Sequence, residues 1–313
     1  LKLAVLDPGW RGYDPAFVHA YAACTGGSVF TALEKVPEGP ALVVLRKNNL
    51  RRAVDAIGRL RARGSKVLIT PGACSTHGLA EMLGDTTRWE LFRAACAASD
   101  GVVSPVARLV PFFENAGAPR VESIPVPVDL GSAGPPKPPA ELRGIFVGTR
   151  EFRIPARRHL EAVVLADSLS RRLQVPLAVL NSEGRDGGMV LKDFQRRNPL
   201  FFIIEAPLTR PDFLDVLRLH RIVWQLDSSS GFGRVAADAL ACGIPTVGGD
   251  GTMETLAFPA HCGPRNPQDL LDSAARLLTG DISWEETMAG AAQAQSKGFS
   301  PGLVSARLRE LAS

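Results

Sequence analysis

The sequence predicts an α/β protein made of two halves, each a parallel sheet covered by helices. Three observations lead there. Short apolar runs alternate with segments of helical period along the whole chain, as parallel strands joined by helical crossovers require. Several runs end at glycines, where the backbone can turn without a side chain in the way: Leu3–Leu6 before Gly9, Gly144–Val147 before Gly148, Ile222–Trp224 before Gly231. The rhythm breaks at residues 131–139, GSAGPPKPP, which carries too little apolar content to form an element. That stretch is read as the linker between an N-terminal domain, 1–134, and a C-terminal domain, 135–313, whose last helix is free to pack back on the first.

Composition fits. With 313 residues, 45% hydrophobic, 22% charged and a net charge of +4, the chain reads as a globular protein of about two domains. The mild positive charge permits an anionic ligand or membrane surface without calling for nucleic acid. No apolar run reaches the roughly 18 residues of a membrane span, and no basic–apolar–small pattern reads as a signal peptide. The five cysteines are scattered without a CxxC pair, mostly beside small apolar residues. They read as free thiols of a reducing, cytoplasmic compartment and offer no zinc site.

Leu3–Leu6 is the first expected strand. It leads into Asp7-Pro8-Gly9-Trp10-Arg11-Gly12, and Asp14-Pro15 has the chemistry of an N-cap and first helical residue. Gly9 and Gly12 are candidate acceptor-side residues, since a glycine turn between strand and helix can cradle a ligand; a plain turn has the same sequence. Leu42–Leu45 is the next strand. Leu50, Ala53, Val54, Ile57 and Leu60 then keep helical spacing over 50–63, with Arg51, Arg52, Arg59, Arg61 and Arg63 on the remaining surface. That helix is either a solvated surface helix or a basic face for peripheral membrane contact. Lys66–Ile69 is a strand, and the loop Thr70–Gly78 follows its carboxyl end, where ligands of open α/β sheets bind. His77 in that loop is the candidate catalytic residue. Trp89–Ala98 and Val106–Ala116 read as helices, Gly101–Ser104 as a strand and Val121–Pro127 as extended chain.

The second half repeats the pattern. Gly144–Val147, Leu177–Leu180, Phe201–Ile204 and Ile222–Trp224 are expected strands. Arg157–Leu173 and a segment capped by Thr209-Arg210-Pro211-Asp212 are expected helices. Residues 228–245, SSSGFGRVAADALACGIP, read as a glycine turn, a helix from about Gly233 and a return towards the strand ending at Val247. The unpaired amides and positive dipole end of that helix suit a diphosphate. His261 and Cys262 look like a strand end. Helices over Asp269–Leu278, Ser283–Ser296 and Ser300–Ala312 complete the chain.

Ser230-Gly231-Phe232-Gly233, then Asp238 to Val247, then Gly248–Glu254, resembles the donor-site signature of retaining glycosyltransferases of the GT-B fold, family 4. The family pattern runs EGFG, four residues, EAMAxGxPVV, then GGxxE. Phe146-Val147-Gly148 is similar to the first strand and glycine of that donor domain, and Ser123–Asp129 to the segment closing the first domain. The likeness runs from Val121 to the end. It implies a GT-B architecture, two Rossmann-like domains with parallel sheets facing a central cleft. It also implies a hexosyltransferase-type enzyme that moves a sugar from a nucleoside-diphosphate sugar to an acceptor (a glycan, lipid or small molecule) with retention and without a metal or other cofactor. The amides at Gly233, Arg234 and Val235 would bind the diphosphate, Asp238 the ribose, and Ser230, Gly231 and Phe232 the sugar, with Glu254 near the donor or else a loop acid capping the next helix. Gly148, Arg150 and Arg153 would line the phosphate side, and the leaving phosphate itself would deprotonate the acceptor.

The chain departs from the pattern at three places. Ser230 and Asp238 stand where the family has glutamates. Thr149 and Pro155 stand where it has arginine and lysine, leaving Arg150, Arg153, Arg157 and Arg158 to supply charge from shifted positions. A neutral hydroxyl binds a sugar less strongly than a carboxylate. The alternative is therefore a glycosyltransferase-like protein that binds nucleotide or sugar with weakened catalysis. A nucleotide-sugar epimerase would need more acid–base residues than the first half offers. A dehydrogenase is disfavoured because no GxGxxG follows the first strand.

Overall fold

The computed structural model describes residues 2–9, 16–72, 74–131, 133, 137, 141–149 and 151–313, with the side chain of Ala16 excepted. Gly12, Asp14, Pro15, Arg150 and most of the proline-rich stretch lie outside the described residues. The chain forms two compact units: residues up to Val128 together with Ser296–Ser313, and Asp129–Gln295.

The first unit holds β1 (Ala4–Leu6), α1 (Ala16–Cys24), β2 (Val29–Phe30), β3 (Ala41–Leu45), α2 (Leu50–Ala62), β4 (Val67–Pro71), α3 (Thr76–Met82), α4 (Thr86–Ala98), β5 (Gly101–Ser104), α5 (Val110–Asn115) and β6 (Val121–Ser123). Its strands lie in the order β2-β1-β3-β4-β5-β6, all parallel. β3, ALVVL, is buried along its whole length because helices cover both faces. α2 turns Leu50, Ala53, Ala56, Ile57 and Leu60 into the core, the face its spacing set. The expected helix 106–116 begins as a 3-10 turn at Ala107–Leu109 and becomes α5 with Pro111 in its first turn. After β6 the chain stays extended but leaves the ladder, since Pro125 and Pro127 have no amide to donate.

The last helix, α13 (Pro301–Ala312), belongs to this first unit. Arg307 Nη2 donates to the Ser123 carbonyl at 2.7 Å, and Val304, Leu308 and Leu311 are buried. Each such apolar side chain contributes on the order of 1.5–3 kcal/mol. Tyr21 of α1 is fully buried, its hydroxyl donating to the Ile124 carbonyl at 2.6 Å.

The second unit holds β7 (Ile145–Val147), α6 (His159–Leu173), β8 (Leu177–Asn181), α7 (Gly184–Arg197), β9 (Phe201–Glu205), α8 (Arg210–Leu217), β10 (Ile222–Trp224), α9 (Arg234–Ala241), β11 (Thr246–Val247), α10 (Thr252–Ala257) and α11 (Pro267–Thr279). α12 (Trp284–Gly298) then carries the chain back to the first unit. The sheet order is β11-β10-β7-β8-β9, again parallel throughout.

Two helices here are not evident from periodicity. α7 opens with Gly184, Gly187 and Gly188, poor helix formers. Gly187 and Gly188 are small because Asn181 crosses the helix: a Cβ on Gly187 would lie 2.4 Å from Asn181 Oδ1 and one on Gly188 3.3 Å from Asn181 Nδ2, while Gly184 takes φ 57°. α10 is six residues long and carries Glu254 in its first turn, within what reads as a loop. His261 and Cys262 are not a strand end. Both amides donate to the Phe258 carbonyl in a turn closing α10, which Pro259 stops from continuing.

Candidate functional site

The strand order places the site. In the second sheet the chain runs outward over β7, β8 and β9, then returns to the other side of β7 as β10 and β11. The crossovers part between β7 and β10, and ligands of such sheets bind at the strand carboxyl ends of a switch point of this kind. Three segments meet at it: Gly148-Thr149 after β7, Gln225–Gly233 after β10, and Gly248–Gly251 after β11.

Gln225 joins all three. A Cβ on Gly148 would lie 2.8 Å from Gln225 Oε1, and one on Gly248 1.9 Å from the Gln225 carbonyl oxygen. Its Nε2 donates to Glu254 Oε1 at 2.5 Å. Gly148 and Gly248 are therefore small because the neighbouring strand's exit packs directly on them. Sequence reading passes over Gln225; the signal was a polar residue set against the end of the buried run Ile222–Trp224.

The Ser228–Gly233 turn is clasped from the β11 side. Ser230, at φ 48°, donates its amide to Asp250 Oδ1 at 2.7 Å and its hydroxyl to Asp250 Oδ2 at 2.8 Å. The Asp250 amide donates to the Asp227 carbonyl at 2.9 Å. Thr252 and Met253, the first residues of α10, donate their amides to the Gly231 and Phe232 carbonyls at 2.9 and 3.1 Å. α10 thus spends its N-terminal donors on the turn. The turn in turn delivers α9, whose first residues are Arg234 and Val235. Gly233 precedes them at φ 80°. Beside it lies Glu254, buried, its carboxyl pushed up to about 8 chiefly by burial and further by the charges of Asp227 and Asp250.

Asp238 is buried on α9. Its Oδ1 accepts from Arg210 Nη2 at 3.2 Å, and Arg234 Nε stands 3.7 Å from Oδ2, which accepts no hydrogen bond. Burial outweighs the two guanidinium groups and raises its pKa. The arginines after β7 part company. Arg157 pairs with Asp227, in the β10 segment, and with Glu151 at 3.6 Å. Arg153 pairs with Asp186 on α7, and Arg158 with Glu161 of the helix it precedes, α6. Thr149 Oγ1 lies 3.0 Å from Nδ1 of buried His159, whose pKa burial lowers to about 4.

The structure therefore brings together Gly148, Ser230, Gly231, Phe232, Gly233 and Glu254, with Arg234, Val235 and Asp238 on the helix that follows. Arg153 joins the start of α7 instead, because Asp186 and Glu183 attract it there. Arg157, Arg210, Gln225, Asp227 and Asp250 join the site through contacts made by strand order.

In the first unit the switch lies between β1 and β3. Gly9, at φ 71°, sits there; its amide donates to the Thr31 carbonyl at 2.9 Å, and a Cβ would meet Arg52 Nη1 at 2.2 Å. Arg46 holds buried Asp7 through three hydrogen bonds of 2.6–3.0 Å. His77 is not in a loop. It is the exposed second residue of α3, which starts early because Ser75 caps it, accepting from the Gly78 amide at 3.0 Å. On α2, Arg59 pairs with Asp55 at 3.7 Å and Arg61 donates to the Ala98 carbonyl at 2.9 Å.

No protein-family model and no curated protein sequence matches the chain. Solved structures do. S. aureus TarM, as a mutant in complex with fondaparinux, alpha-GlcNAc-glycerol and UDP, is similar at TM-score 0.66 and 11% identity. The match covers 87% of this chain and 55% of TarM, so the chain spans little more than half of TarM's length. OtsA in its apo form is similar at TM-score 0.68 and 11% identity, over 100% of this chain and 99% of OtsA. Anabaena HepE in complex with UDP-glucose gives TM-score 0.67 at 14% identity, over 98% of each chain. At such identities the likeness is one of fold: the chain has the GT-B fold, with two Rossmann-like α/β units of parallel strands.

Proposed function

We propose that the protein is a hexosyltransferase-type glycosyltransferase that takes a sugar from a nucleoside-diphosphate sugar, with retention and without a metal. The observation that carries the reading is the start of α9 at the β7–β10 switch point, behind a glycine turn that α10 holds in place. The diphosphate would lie against the amides of Gly233, Arg234 and Val235, where the helix dipole favours negative charge. Charge building on the leaving diphosphate would be met by Arg234, with Arg157 nearby through Asp227. Asp238 Oδ2, which Arg234 faces at 3.7 Å without a hydrogen bond, would accept from the ribose, while Arg210 keeps the carboxylate in place. Asp250, held by Ser230, would put a carboxylate beside the residue that replaces the family's first glutamate.

The acceptor side is assigned to the first unit, with Gly9 at its switch point and His77 exposed on α3. Contact of α2 with an anionic membrane surface would be electrostatic, since its apolar face is spent on the core; sedimentation with anionic vesicles tests it. The five cysteines are all free, which supports a reducing, cytoplasmic setting. No helix among the described residues is long and apolar enough to cross a membrane.

The engagement of Asp238 by two arginines favours a second reading, a protein that binds nucleotide sugar with little turnover. One experiment separates the two: a panel of nucleoside-diphosphate sugars, scored for thermal stabilisation and for release of free nucleoside diphosphate. Stabilisation with slow release supports the transferase. Stabilisation without release, across an acceptor screen, supports the binding protein. No stabilisation by any nucleotide refutes both.

A further inference from the structure

Glu254 stands directly behind the start of α9. A Cβ on Gly233 would lie 1.8 Å from its Oε2, and one on Gly251 2.4 Å. The residue is 3% exposed. Gln225 satisfies Oε1, but Oε2 has no hydrogen-bond partner. The charged and titratable groups facing it are Asp227 from the β10 segment, Asp250 from the β11 segment and Cys262 from the turn after α10. Arg157 is spent on Asp227 and Glu151. No cation pairs with Glu254 among the described residues.

We propose that Glu254 is a positioning residue that works as a neutral carboxylic acid, bracing Gly233 so that the start of α9 accepts a diphosphate, and that its ionisation closes the site to that anion. The inference rests on reading the start of α9 as a diphosphate site. A helix end carries about half a positive charge. A carboxylate packed against its capping glycine would cancel that charge and repel the ligand; the neutral acid does neither. Burial and two neighbouring carboxylates keep the proton on Glu254 at neutral pH. By linkage, diphosphate binding favours the protonated form. Affinity therefore falls as pH rises through the pKa of Glu254, and binding near that pKa takes up a proton.

The test is calorimetric titration of the full chain with uridine diphosphate from pH 7 to 9.5, each pH in two buffers of different ionisation enthalpy. The last phosphate ionisation, which tails into pH 7, and that of the uracil imide at the alkaline end belong to the ligand and are common to every variant, so the contrast between variants carries the test. The wild type is expected to lose at least fivefold in affinity between pH 7 and 9 and to take up a proton near pH 8. Glu254→Gln, which stays neutral, is expected to keep only the ligand's own shallow pH dependence and to lose the fivefold fall and the uptake near pH 8, whatever its absolute affinity. Asp250→Asn, which removes a facing charge, is expected to move the midpoint to lower pH, and it serves if the glutamine variant does not fold. A flat wild-type profile, an unchanged profile in Glu254→Gln, or an unmoved midpoint in Asp250→Asn overturns the inference alone. Absence of binding by any nucleoside diphosphate at pH 7 overturns the diphosphate reading itself.

Discussion

Replacing Gly233 with alanine tests the construction of the site most directly. Gly233 sits at φ 80°, where a Cβ costs about 1–2 kcal/mol. The new Cβ would also stand 1.8 Å from Glu254 Oε2, 2.7 Å from Cδ and 3.0 Å from Oε1. The carboxyl must move, breaking its bond from Gln225, in a place with no room to receive it. Forced repacking of this kind costs about 1–3 kcal/mol. Together the two effects reach roughly 2–5 kcal/mol, a large part of the 5–15 kcal/mol that holds a typical domain folded. For a unit of this size that lowers Tm by roughly 5–15 °C. The assay is urea unfolding followed by tryptophan fluorescence, since Trp224 is buried in this unit. It is run on Gly233→Ala alone and in a Glu254→Ala background. Removing the carboxyl relieves the clash but leaves the backbone cost, so the alanine penalty should shrink by about 1–3 kcal/mol in the double variant. A penalty below about 1 kcal/mol, or an equal penalty in both backgrounds, would refute the packing of Glu254 against the start of α9.

Other expectations follow from the same contacts. Asp238→Ala should weaken nucleotide-sugar binding yet cost less than about 1 kcal/mol of stability, because its arginine partners are partly exposed and its own burial is unfavourable; unfolding of the variant would show that Asp238 is structural. Glu254 holds its proton to about pH 8 when folded but releases it near 4.5 when unfolded, so native stability contributed here falls as pH rises across that window. At about 1.4 kcal/mol per tenfold, Glu254→Gln should gain roughly 2–4 kcal/mol on the wild type at pH 8 relative to pH 4.5; parallel stability curves would show that Glu254 is ionised when folded. Leu308→Ala, at a fully buried position of α13, should cost about 2–5 kcal/mol in the first unit. Denaturant unfolding checks it, and an unchanged midpoint would mean that α13 does not complete that core.

Much of the site could be read from the chain because its parts are local. A glycine turn followed by a short helix shows itself in SSSGFGR, and α9 begins at Arg234, one residue after the glycine expected to start it. Glu254 reads as a site residue from its motif, but nothing local points to its partner Gln225, since they are far apart in sequence and meet through β10 and β11. The arginines after Gly148 show the same limit. Four of them cluster in sequence, yet of the described ones only Arg157 bonds an acid of the β10 segment, because an acid on α7 holds Arg153 and one on α6 holds Arg158. α7 is hidden for a related reason, Gly187 and Gly188 being fitted to Asn181 of the preceding strand rather than to helix propensity.

By itself the sequence determined the α/β class, most of the strands and helices, and the glycine turn that starts α9. Each of these depends on residues within a few positions of one another, through apolar period, capping chemistry and backbone freedom. The tertiary structure decided which side chains meet at the switch point, Gln225 with Glu254, Ser230 with Asp250 and Arg210 with Asp238, and which partners hold α13 on the first unit. Those pairings come from the strand order β11-β10-β7 and from helices docking on distant partners. Close packing then fixes polar groups that no local rule relates.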